Sequence, residues 1–122
     1  MTKSQKKYLF AIYCIKSEGK AIKSSEVSKM LGVTKASMVK MSGKLAEEGY
    51  IIKEPYREIQ LTQKGIQAAN ELFTPALILQ NFLENNLTLD KKSAKENSIS
   101  MVTVLSEECV EKFVNFAIST KK

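Results

Sequence analysis

The sequence predicts a mainly α protein, a winged helix-turn-helix domain followed by a small all-helical domain. Three observations carry that prediction. Ser24 to Tyr50, SSEVSKMLGVTKASMVKMSGKLAEEGY, holds two apolar stripes at helical spacing with a turn signal at Gly32 between them. After Gly49 the period changes, and two short runs flank Pro55-Tyr56-Arg57 as the arms of a hairpin flank its tip. Beyond Thr62 helical spacing returns, interrupted at Pro75 and again by a polar link from Asn85-Asn86 to Lys92.

The first helix is expected from Thr2 or Lys3 to Ser17. Tyr8, Ala11, Ile12 and Ile15 form its main stripe, with Leu9 and Tyr13 alongside, and Glu18-Gly19-Lys20 ends it. Lys7, Phe10 and Cys14 share a second face, which is expected to meet the second half of the chain because an exposed Phe needs cover. Ala21-Ile22-Lys23 is expected as a short strand. Ser24 or Ser25 then caps the next helix, whose Val27, Met30 and Leu31 should point inward. Gly32 suits the left-handed residue that ends a helix, Val33 anchors the turn, and Thr34 caps the following helix.

On a wheel of 3.6 residues per turn, Met38, Met41 and Leu45 of that helix fall on one side. The opposite side carries Lys35, Ala36, Val39, Lys40 and Gly43, with no acid among them. Lysines meet phosphates or guanine edges, and methyl-bearing groups meet thymine methyls, so this face suits the major groove of DNA. An ordinary solvated face would leave Val39 and Gly43 unexplained, since better helix formers are favoured at exposed positions.

Tyr50 to Glu54 and Glu58 to Leu61 read as the two strands of the wing. Arg57 at its tip has two readings: a contact to backbone phosphate or the minor groove, or a rim arginine paired with Glu54 or Glu58.

Charge agrees with a polyanionic partner for the first half. Residues 1–62 carry 12 Lys+Arg against 6 Asp+Glu, and residues 63–122 carry 7 of each. No apolar run is long enough to cross a bilayer, and MTKSQKKYLF lacks a signal peptide's apolar segment, so a cytoplasmic protein without membrane contact is expected. The chain has no histidine, no Gly-rich phosphate cradle and no evident pocket of paired carboxylates, which argues against an enzyme. Cys14 and Cys109 fit neither a zinc pattern nor a disulfide framework and are read as small buried hydrophobes. A thiol sensor at Cys14, beside Lys7, is the alternative.

YLFAIY from Tyr8, then LGVTKASMVKMSGKL, then EEGYIIKEPYREIQLTQKG together resemble the DtxR/MntR family of metal-dependent transcriptional repressors. The resemblance runs almost without gaps from Tyr8 to Gly65 and continues to about Ser106. It is carried most specifically by the wing, by Leu61-Thr62 and by Lys64-Gly65. It implies a winged-helix domain, a helical dimerisation domain and a near-palindromic operator in double-stranded DNA. The candidate DNA-contacting set is Thr34, Lys35, Ala36, Ser37, Val39, Lys40, Lys44 and Arg57.

The resemblance also implies manganese or iron(II), but the family's ligand positions fall here on Lys7, Phe10, Ala76, Ile99, Val102 and Thr103. A hard divalent cation needs carboxylate, imidazole or carbonyl ligands, so no metal cofactor is predicted.

The second half must then hold together without ions. Thr62 should cap a helix running to about Phe73, and Thr74-Pro75 should restart or kink it, placing a domain boundary between residues 1–73 and 74–122. Further helices are expected at 76–87, at about 93–105 and from Ser106, whose Glu107 and Glu108 suit a helix N-terminus. Val110, Phe113, Val114 and Ala117 should line the inner face of the last one. So small a helical unit has little core, and a homodimer is the usual remedy. Its candidate contact residues are Leu79, Phe82, Leu83, Val110, Phe113 and Val114. The alternative functions are a winged-helix regulator of MarR-like type, responsive to a small ligand or a thiol, and a winged-helix protein-interaction module.

Overall fold

The computed structural model describes residues 1–120. Two compact units divide the chain, Met1–Asn70 and from Glu71 onward.

The first unit opens with α1, Lys3–Ser17. Thr2 and Gln5 make a reciprocal capping box at its start: the Gln5 amide donates to Thr2 Oγ1 at 3.1 Å and the Thr2 amide to Gln5 Oε1 at 2.8 Å. Its stripe of Tyr8, Leu9, Ala11, Ile12 and Ile15 is buried, and Phe10 is buried too.

Helix α2 spans Ser24–Leu31 and α3 spans Lys35–Glu47. Between them Gly32 takes the left-handed conformation, φ +66°, and the Val33 amide donates to the Ser28 carbonyl at 3.0 Å. Two expectations about α2 fail. Ser24 lies inside the helix, so Lys23 is the cap residue and supplies no side-chain bond. Met30 is 52% exposed, because so short a helix has a narrow inward stripe that Val27, with half-buried Leu31, already fills.

The wing is a two-stranded antiparallel hairpin, β1 Ile51–Ile52 and β2 Gln60–Leu61, with Ile51 opposite Leu61 and Ile52 opposite Gln60. The strands are shorter than the sequence suggests. The strand expected at Ala21–Lys23 is also absent; one bond, from the Ile59 amide to the Ile22 carbonyl at 2.8 Å, ties that segment to the hairpin arm. Ile22, Val27, Met38, Leu45, Ile51, Ile59 and Ala69 complete the core around the α1 stripe.

Helix α4 runs without a break over Gln63–Asn85, with Pro75 inside it. The restart expected at Thr74-Pro75 does not occur. Proline withholds the amide that the Glu71 carbonyl would receive. The buried Ala69, Leu72, Ala76 and Leu79 nevertheless stay in helical phase across it, so burial on both sides favours one continuous helix.

In the second unit α5 spans Lys91–Val104 and α6 spans Glu107–Ser119. Asp90 caps α5 by accepting from the Ser93 amide at 2.7 Å, and Ser106 caps α6 by accepting from the Cys109 amide at 3.1 Å. Ala94, Ser98, Val102, Val110 and Ala117 are buried. Phe82 meets Phe113 and Phe116 edge-on, with ring centroids 6.4 and 5.9 Å apart. The inner face of α6 is narrower than expected: Phe113 is 38% exposed and Val114 half-buried. Cys109 is exposed rather than buried, being on the first turn beside the cap, and Cys14 is half-buried. No described helix is long and apolar enough to cross a membrane.

Candidate nucleic-acid interface

Helix α3 has a packed back and an open front. Met38, Ser42 and Leu45 are buried, and Met41 is half-buried beside them. Thr34, Lys35, Ala36, Ser37, Val39, Lys40, Gly43 and Lys44 are all exposed. Val39 is the telling member, a branched aliphatic side chain 65% exposed among lysines, hydroxyls and small groups. Thr34 accepts from the Ser37 amide at 3.0 Å, fixing the first turn of the helix. The face that the wheel assigns outward is therefore one continuous surface of lysines, hydroxyls and small apolar groups.

Gln5, Glu48, Thr62 and Lys64 hold the far end of α3, and the sequence reading leaves Gln5 and Glu48 without a role. Glu48 is its C-terminal cap residue. The Lys64 ammonium donates to the Glu48 carbonyl at 2.7 Å and lies 4.5 Å from the centre of the Tyr50 ring. A cation there offsets the negative end of the helix dipole. Buried Gln5 donates from Nε2 to the Glu48 carboxylate. Thr62 Oγ1 donates toward the Gly49 and Tyr50 carbonyls, at 2.6 and 3.1 Å, and accepts from the Gly65 amide at 3.0 Å. The head of α4 and the start of α1 thus grip one turn. Lys64-Gly65 was visible as a family motif, but only the folded chain brings it to Glu48.

At the wing tip Arg57 Nε lies 3.4 Å from Glu54 Oε2, with side chains 76% and 63% exposed. So open an ion pair is weak and leaves the guanidinium accessible.

Residues 1–59 match the family described as iron dependent repressor, N-terminal DNA binding domain. An uncharacterized HTH-type transcriptional regulator of Methanocaldococcus jannaschii is 35% identical over 117 residues, covering 95% of this chain and 94% of its own. The chain belongs to the DtxR/MntR family of transcriptional regulators. The HTH-type transcriptional regulator MntR of Bacillus subtilis is 33% identical over 82 residues, which are 67% of this chain and 58% of that one. A manganese-dependent transcriptional repressor, solved in complex with manganese, shares the fold with a TM-score of 0.74 at 19% identity, over 92% of this chain and 53% of that one. The chain thus spans nearly all of the archaeal relative and little more than half of the other two. Family membership makes it a DNA-binding transcription regulator and not an enzyme.

The positions that resemblance assigns to the family's metal do not fit a hard divalent cation. Lys7 is exposed and cationic, and Phe10, Ala76 and Val102 are buried hydrocarbon. Ile99 is half-buried hydrocarbon, and the one hydroxyl, on Thr103, donates to the Ile99 carbonyl at 2.8 Å. Neither carboxylate nor imidazole stands at any of the six. Among the described residues no three His, Cys, Asp or Glu side chains gather as a metal would require.

Proposed function

We propose that the protein is a homodimeric regulator that binds a near-palindromic operator through α3 and operates without the family's manganese or iron(II) switch. Residues 1–73 serve as the DNA-binding domain and residues 74–122 as the dimerisation domain. The observation that carries the reading is the exposed front of α3. Lys35, Lys40 and Lys44 reach phosphates or guanine edges, Ala36 and Val39 meet thymine methyls, and Thr34 and Ser37 bond the strand at the helix N-terminus. Arg57 adds a contact from the wing.

Two-fold symmetry presents two copies of α3 to successive major grooves, and the second unit supplies the subunit contact. The candidate contact residues divide by exposure. Leu79, Phe82, Leu83 and Val110 are buried and support the surface, whereas Phe113 is open and Val114 partly so. With Phe116, Phe113 borders an apolar groove of about 650 Å³ that also takes in Phe82, Leu87, Cys109 and Lys112. A second copy of the chain covers this face in the proposed dimer. Light scattering at micromolar concentration should give twice the monomer mass, and a monomer contradicts this part.

The absence of metal control rests on the donor chemistry at the six positions. Selection of bound sequences from random duplex DNA, with and without manganese, tests operator and switch together. A near-palindromic sequence enriched equally in both arms is expected. Enrichment only with manganese, matched by micromolar manganese or iron(II) binding in calorimetry, overturns the metal-free reading.

A further inference from the structure

Tyr56 stands fully exposed at the hairpin tip, at 106% of its reference area, on a left-handed backbone with φ +59°. Both conditions are unfavourable within one chain. A residue with a Cβ is disfavoured in that region of backbone space, where glycine or asparagine is at ease. A solvated aromatic ring gains nothing from burial.

The tip around it is held firmly. Lys53 Nζ donates to the Glu54 carbonyl at 2.8 Å and the Arg57 carbonyl at 2.9 Å. The Arg57 amide donates to the Glu54 carbonyl at 3.2 Å, closing the turn over Pro55 and Tyr56. Charge does not explain the presentation, because Lys53, Glu54, Arg57 and Glu58 cancel formally. The Lys53 ammonium, moreover, is engaged by the two carbonyls.

We propose that Tyr56 is a DNA contact whose ring packs against the sugar edge of the minor groove beside the site covered by α3. This inference rests on the DNA-binding reading of α3. A neutral ring displaces no counterions, so its contribution to affinity is independent of salt, unlike that of the lysines. Arg57, next to it and in an open ion pair with exposed Glu54, is carried to the same edge.

The test titrates the selected duplex with wild type, Tyr56→Gly, Tyr56→Phe and Lys40→Ala over a series of salt concentrations, with urea midpoints for each protein. Wild type should show a steep salt slope, and Lys40→Ala a slope shallower by about one. Tyr56→Gly should bind roughly five- to tenfold more weakly at every salt with the slope unchanged. Its urea midpoint should not fall, since glycine relieves the backbone. Tyr56→Phe should stay within about twofold of wild type, because the ring makes the contact. Wild-type affinity in Tyr56→Gly, or a weaker affinity whose slope also falls by about one, overturns the proposal while α3 still binds. Absence of salt-dependent binding by wild type removes the DNA reading and this proposal with it.

Discussion

Lys64 closes the end of the candidate recognition helix: its ammonium donates to the Glu48 main-chain carbonyl at 2.7 Å, on the cap residue of α3. The carboxylate of the same glutamate accepts from buried Gln5 at the start of α1. One residue, Glu48, therefore joins three helices at the C-terminal end of α3. Lys64→Met keeps the stem and removes the charge, the bond and the contact with Tyr50. A loss of about 1 kcal/mol is expected in urea denaturation. Lys64→Arg should recover part of it, and an unchanged midpoint in Lys64→Met would show that the clasp contributes nothing.

Gly65 allows α4 to start against the hairpin. A Cβ there would lie 2.1 Å from the Tyr50 carbonyl oxygen and 3.1 Å from Leu61 Cδ2. The nearer atom is backbone and cannot turn aside, so Gly65→Ala should destabilise by about 2 kcal/mol or more despite alanine's better helix propensity. Thermal melting checks this; a variant as stable as wild type contradicts the packing described.

Much of this fold was legible because its signals are local. Gly32, Thr34 and Thr62 mark ends and starts with residues whose backbone or side chain acts within a few positions. The alternation of buried and open residues on α3 follows from its length and a single apolar stripe. Other features depend on distant partners. The Gln5–Glu48 bond spans 43 residues, and nothing near Gln5 announces it. Pro75 reads locally as a helix start, yet burial on both sides carries α4 through it. Met30 has helical spacing from Val27, but only packing decides which of two neighbours faces inward. The outward residues of α3 were legible, whereas the presentation of Tyr56 at the wing tip was not, because its left-handed backbone is a property of the closed tip.

Ser42 sits on the packed back of α3, 4% exposed, with no partner for its hydroxyl among the described residues. A buried hydroxyl without a bond carries a desolvation cost. Ser42→Ala should therefore stabilise the protein, by about 1 kcal/mol, and leave duplex affinity unchanged. A lower urea midpoint contradicts the assignment of that hydroxyl as unbonded.

Gly43 lies on the open front of α3, and a Cβ added there would meet no atom of the described residues within 4 Å. Gly43→Ala should raise stability by about 0.5–1 kcal/mol through helix propensity alone. If the duplex backbone passes close over this position, affinity should fall at the same time. Opposite signs in melting and in binding are the expected result; gains in both would place Gly43 outside the contact.

Phe113 and Phe116 leave aromatic surface open on α6, at 38% and 57% exposure. Phe116→Glu should yield a folded monomer by light scattering, with weaker binding to a two-half-site duplex. A dimer that survives this change places the subunit contact elsewhere.

The central claim is that the front of α3 meets the duplex. Amide chemical shifts of the labelled protein, followed as the selected duplex is added, test it most directly. The account predicts that the largest changes fall on Thr34 to Lys44, with a second group at Tyr56 and Arg57. Changes confined to other helices, with Lys35 to Gly43 unmoved, would contradict it.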